Sequence, residues 1–249
     1  MFLKRRRFNG YWIRRFVLSV YWRKVKKLLG VFDIVGPVMI GPSSSHTAGA
    51  VRLGRMAVAV LNAPPVEAEI YLHGSFAQTG RGHGTDLALV AGILGMKTDD
   101  EHIVHAMEIA AQRGVKISIG TTDLGIAHPN SVKIVVKDKT GRERTIIGSS
   151  VGGGNILVTQ INNFKVKLTG EYYTVCAIYK DQLGMIAKVS QLLADNKINI
   201  AQMKVSREGK GGQTLMVVET DMPIPPDVVT AIRNLEEIEQ AFILKPVKD

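Results

Sequence analysis

The chain has one cysteine, Cys176, in 249 residues. That scarcity excludes a disulfide framework within the chain and suits a reducing cytoplasm. It also leaves too few thiolates for a cysteine-ligated iron–sulfur cluster. Aromatic residues are few, glycines are many, and the apolar fraction is ordinary for a globular protein. Long hydrophobic runs are missing too: Phe16–Trp22 is too short and too closely flanked by charge to span a membrane, and no small-residue cleavage site follows it. Residues 1–30 contain no acid but ten Lys/Arg, whereas from Val31 onward 22 Lys/Arg face 22 Asp/Glu. The formal charge of +10 therefore belongs to a tail, and the neutral body gives no reason to expect a nucleic-acid or membrane partner.

Three readings of residues 1–30 stay open. They form a basic amphipathic arm with Trp12, Phe16 and Val20 on one face, a solvated tail, or the product of a mis-assigned start with the protein beginning near Val25. Length allows one large or two modest domains. Segment 31–165 mixes strand-like runs (Glu67–His73, Val115–Ile119) with an apolar helix, Asp86–Gly95. Thr98–Glu101 has capping-box spacing and opens a helix through Gln112, which Gly114 ends. Ser131–Lys137 and Arg144–Ser149 read as a hairpin, and the stretch from Gly152 to Gly170 as a linker with a strand or two. From Tyr172 the order is βαββαβ, a ferredoxin-like split βαβ, with Ile186, Val189, Leu192 and Leu193 on one helix face. The expected fold is α+β: a mixed α/β domain followed by a ferredoxin-like one.

The densest polar motif is Gly36–Gly49, where Ser43, Ser44, Ser45, His46 and Thr47 stand directly before a helix-like run, Ala48–Leu61. First-turn N–H groups and hydroxyls there suit a carboxylate or phosphate. His46 can move a proton near neutral pH. Small Gly49 lets a ligand or a backbone approach closely. A second cluster, Leu72–Asp86, offers His83 at a helix start, and His128-Pro-Asn130 is a loop histidine and amide before a strand. His102 and His105 share a helical face, but no acid or thiol partner is evident, so no metal ligand is assigned in this chain. Arg52 and Arg55 either bind an anion or solvate a helix face.

Val31–Gly49 closely resembles the start of the beta chain of iron–sulfur-dependent L-serine dehydratases, and His73–Ala77, Gly82–Asp86, His128–Asn130 and Gly152–Gly154 match that family in order. The resemblance covers about 31–249, and the C-terminal part, 171–249, is similar to an ACT domain. It implies dehydration of L-serine to pyruvate and ammonia. It also implies a 4Fe–4S cluster, held by cysteines of a partner alpha subunit, that acts as Lewis acid on the departing hydroxyl. On that reading Ser43, Ser44, Ser45, Thr47 and Gly49 hold the substrate, His46 handles the α-proton, and His83, His128 and Asn130 are secondary site residues. Asp181, Gly184, Met185 and Asn199 would meet an effector, often where two ACT domains associate. A different class stays open. A related domain followed by ACT is the serine-sensing region of some phosphoglycerate dehydrogenases, so the chain could be a non-catalytic regulatory module. Family members begin only a few residues before Val31, and the basic tail is the departure from their pattern.

Overall fold

The computed structural model describes residues 37–80 and 82–248. The arm and start-site readings of the tail, and residues 31–36 of the motif, lie outside these. Ser44–Ala48 is a single π-turn in which the Gly49 N–H reaches back to the Ser44 carbonyl, and it runs directly into helix α1 (Gly49–Leu61). Asn62 ends α1 in the left-handed region, at φ 55°. Strand β1 (Pro65–Gly74) follows and alternates as its sequence does, burying Ala68, Ile70 and Leu72. Helices α2 (Ser75–Thr79) and α3 (Thr85–Ile93), a 3₁₀ turn (Glu101–His105) and α4 (Ala106–Gln112) then carry the chain across to β2 (Lys116–Thr121), parallel to β1. Strands β3 (Asn130–Asp138), β4 (Glu143–Gly152), β5 (Asn155–Ile161) and β6 (Phe164–Leu168) complete a six-stranded sheet in the order β2-β1-β3-β4-β5-β6.

Helix α1 packs on this sheet, and α3 packs on α1 at backbone distance. A β-carbon on Gly54 would stand 2.3 Å from the Leu89 carbonyl oxygen, and one on Gly92 2.1 Å from that of Val51. Neither glycine has the positive φ that favours glycine. Both are needed for the space, because the two helices touch where side chains would hold them apart.

Two local expectations change. Residues 155–168 hold the two strands allowed for but are more than a linker: Ile156, Val158, Ile161, Phe164 and Leu168 are buried, and both strands extend the first sheet. The cap before the 3₁₀ turn is Asp100, whose carboxylate accepts from the His102 N–H at 2.9 Å. Thr98 is buried instead. Its hydroxyl donates to the Val38 carbonyl at 3.0 Å and its own carbonyl accepts from the Ile40 N–H at 2.9 Å, so it anchors the approach to the serine motif.

The second sheet comprises β7 (Tyr173–Lys180), β8 (Ile200–Arg207), β9 (Gln213–Thr220) and β10 (Ile238–Leu244), with α5 (Met185–Asp195) and α6 (Pro226–Arg233) between them. Its order, β10-β7-β9-β8, with every neighbouring pair antiparallel, is the ferredoxin-like arrangement. Met185, Val189 and Leu193 are the inward residues of α5. Ile186, expected on that face, is 52% exposed, because a four-residue spacing from Met185 sets the inward face. Strand β7 is buried on both sides. Val175, Ala177 and Tyr179 pack with the helices, while Cys176 and Ile178 join the core beneath the first sheet. Cys176 is thus core filler, and burial pushes its thiol far above the ordinary range. No helix of the described residues is long and apolar enough to cross a membrane.

The β3–β4 hairpin is fastened by Asp138. Its carboxylate accepts from the Thr140 hydroxyl at 2.6 Å and from the Thr140 and Arg142 N–H groups, and it pairs with the Arg142 guanidinium at 2.8 Å. The Thr140 hydroxyl, then these other donors, lower its pKa from 3.8 to about 2. A depressed carboxylate pKa contributes stability that is complete above the unfolded value and is lost as pH falls toward the folded one. Asp138→Asn should therefore flatten the pH dependence of stability between about 4 and 2, as read by urea melts across that range. An unchanged profile would rule out this role.

Candidate active site

The serine motif enters the structure as a cap. The Ser43 oxygen accepts from the His46 N–H at 3.3 Å, and the Thr47 N–H bonds to the Ser43 carbonyl at 2.8 Å. With that end of the turn fixed, the half-buried His46 ring projects towards helix α2. Its Nδ1 lies 3.4 Å from Ser43 Oγ, and its Nε2 lies 3.4 Å from Ser75 Oγ and 3.2 Å from Thr79 Oγ1. Phe76 meets the ring edge-on, with centroids 5.3 Å apart, and the His83 ring lies 5.0 Å away, tilted against it. Burial, and next the charge of His83, hold the His46 pKa below its usual 6.5. The imidazole is therefore neutral at pH 7.

The hydroxyl network favours one tautomer. The Thr79 hydroxyl donates to the Ser75 carbonyl at 2.9 Å, so towards His46 its oxygen is free to accept. That arrangement places the ring proton on Nε2 and leaves the Nδ1 lone pair beside Ser43. Ser75 and Thr79 escaped the sequence reading. They stand four apart on one face of α2, immediately after a strand, and that hydroxyl spacing was the available signal. Gly74 aims them. At φ 59° it turns the chain sharply, and its bare α-carbon sits where a β-carbon would be 2.5 Å from the Pro129 carbonyl oxygen. That carbonyl accepts from the Ser75 N–H at 2.8 Å.

The remaining expected residues fall into place around this centre. Ser44 and Ser45 lie half-buried in the same turn as His46. Thr47 is turned inward, 2% exposed, its hydroxyl against the bare α-carbon of Gly41. Gly49 is a packing position, since a β-carbon there would strike the Ser150 hydroxyl at 2.1 Å. His83 is exposed, with Nδ1 3.1 Å from the Thr79 carbonyl oxygen. The His128 Nδ1 accepts from the Asn130 N–H at 3.1 Å, and Ser131 ties that loop to Ser149, oxygen to oxygen at 2.7 Å. His128 and Asn130 therefore support the Pro129 carbonyl beneath Ser75. Arg52, 3% exposed, donates to the Gly154 carbonyl at 2.7 Å and so fastens the glycine turn beside Pro37. Arg55 donates to the Val247 carbonyl.

No group of three or more His, Cys, Asp or Glu able to hold a metal occurs among the described residues. His102 does have an acid partner, unseen in the sequence reading: its Nδ1 is 2.8 Å from Asp100, the cap of its own turn. In the second sheet the Asp181 carboxylate accepts from Arg207 at 3.0 Å and from the Gly211 N–H, while the Asn199 amide donates to Asp221 at 3.2 Å. These contacts sit at opposite ends of β8. Gly184 caps α5 at φ 84°, and Met185 is buried in the core beneath it.

Two family models match this chain: serine dehydratase beta chain over residues 30–120, and ACT domain over 174–237. It is 41% identical to the probable L-serine dehydratase beta chain of Bacillus subtilis over 86% of its length and 97% of that protein. It is also 41% identical to the L-serine dehydratase beta chain of Peptoniphilus asaccharolyticus, over 84% and 95% respectively. Likeness to the D-3-phosphoglycerate dehydrogenase of Bacillus subtilis is lower, 27% over 75% of this chain and only 35% of that enzyme. The histidine held among hydroxyls thus lies within the span of the first family match, and the chain belongs to the serine dehydratase beta-chain family.

Proposed function

We propose that the chain is the beta subunit of an L-serine dehydratase, supplying the substrate-binding and proton-transfer half of the active site. The observation that carries this reading is a neutral His46 imidazole fixed by three hydroxyls at the start of a helix. The N–H groups and hydroxyls of Ser44 and Ser45 receive the serine carboxylate, the His46 and Thr47 N–H groups being taken by Ser43. His46 then takes the α-proton on Nδ1. Loss of that proton and of the β-hydroxyl as water gives aminoacrylate, which tautomerises and hydrolyses to pyruvate and ammonia. Ser75 and Thr79 join the site by holding the ring, whereas Thr47 and Gly49 act through packing.

The residues of this chain do not fit a 4Fe–4S cluster. Its single cysteine is fully buried, and burial opposes the thiolate. We therefore assign the cluster to the cysteines of an alpha subunit and derive no step through it. A lone buried thiol also supports a cytoplasmic setting. Asp181 and Gly184 retain an effector role in this proposal, while Met185 shapes the turn from below. An effector touching both Asp181 and Asn199 needs two copies, because the length of β8 alone separates them by ~20 Å.

The test is anaerobic co-expression with the alpha subunit and an assay of L-serine for pyruvate. Pyruvate that requires both chains supports the reading. Serine binding by this chain alone, with no turnover in the assembled pair, would favour the regulatory module instead.

A further inference from the structure

A cleft of about 660 Å³ lies away from His46, where the far half of α1, the end of α3, the end of α4 and the segment after β10 converge. Its volume is that of a small-molecule site. The walls are apolar, chiefly Val58, Ala59, Ile93, Leu94, Val115 and Ile243. Three cations line it, Arg55, Arg113 and Lys245, and no carboxylate does. A cleft wall in a chain body of balanced charge would ordinarily mix the two signs.

The cleft is also held open by the fold. The Val247 N–H bonds to the Gly170 carbonyl at 2.9 Å and the Val247 carbonyl accepts from Arg55 at 3.1 Å, so the C-terminal wall is tied at two points. Arg113 is oriented at the rim by donating one N–H to the Leu94 carbonyl at 3.0 Å. Asp100, which does not line the cleft, lies within Coulombic reach of Arg113 but forms no ion pair with it, so N–H groups of its fork remain for a ligand. Lys245 is exposed and pairs with no acid among the described residues.

We propose that this cleft binds a small carboxylate with an apolar body, the carboxylate at Arg113 and Lys245 and the apolar part against α1 and α3. Such a ligand would bridge the helix that follows His46 and the last strand of the second sheet. The site stands independently of the dehydration reading, because its test reads binding alone.

The probes are phenylacetate and its neutral twin phenylacetamide, titrated calorimetrically into the full chain. Phenylacetate is expected to bind, with the amide at least about tenfold weaker, since only the acid makes charge-assisted bonds. Arg113→Gln with Lys245→Gln should weaken phenylacetate by a similar factor while leaving the amide unchanged. Both positions are exposed, so the double variant should fold normally. Equal affinity for acid and amide, an unaffected double variant, or no binding of phenylacetate up to about 10 mM would each overturn the proposal.

Discussion

Replacing His46 with Gln is expected to lower turnover of the assembled enzyme by about 10²–10⁴-fold, the range typical for removing a general base. Glutamine keeps a polar group between Ser43 and Thr79, so co-purification with the alpha subunit should persist while pyruvate formation collapses. The pH profile carries the sharper evidence. Burial and His83 depress the His46 pKa, so its acid limb should fall below 6.5, where protonation removes the lone pair. His83→Gln takes away the second cause, which raises the His46 pKa and moves that limb to higher pH. Wild-type turnover in His46→Gln would sink the assignment. An acid limb that ignores His83 would show that another group titrates.

Substituting Ala at Gly92 should be severely damaging to the fold. The added carbon would stand 2.1 Å from the Val51 carbonyl oxygen and 3.0 Å from the Arg55 nitrogen, and both are helix backbone that cannot step aside cheaply. Forcing α1 and α3 apart should cost about 3 kcal/mol or more, a large part of the stability of a domain this size. Gly95→Ala is the control. Nothing lies within 4 Å of a β-carbon there, and only its φ of 84° opposes the change, at about 1 kcal/mol. Urea midpoints for the two variants should separate clearly. Equal midpoints would show that the helices can move apart freely.

The difference between those two glycines marks how far the sequence could be read. The strand alternation of Glu67–His73, the apolar helix after Thr85 and the βαββαβ order of the second half were legible because burial on one face imprints a period. Strands β5 and β6 were allowed for after the Gly152–Gly154 stretch, but nothing local showed that they extend the first sheet and cover its core. In the site, Ser43 and His46 were visible as a polar cluster at a helix start. Ser75 and Thr79 were not, because their role arises only when Gly74 folds α2 back over the turn, a contact across some 30 positions that no local pattern records. Thr98 misled for the opposite reason: its spacing matched a cap, but tertiary partners at Val38 and Ile40 claimed both of its polar groups.

The π-turn before α1 has a geometric consequence. A π-turn carries one residue more than an α-turn, which advances everything on its N-terminal side by about 100° around the axis. In an unbroken α-helix His46 and Leu53, seven apart, would share an azimuth, and Leu53 is completely buried. His46 lies inside the turn, so its ring takes part of that rotation and Ser43, just before the turn, takes all of it. Excising a single residue from Ser44–Ala48 would turn Ser43 about the axis relative to Leu53 and take its hydroxyl out of register with the imidazole.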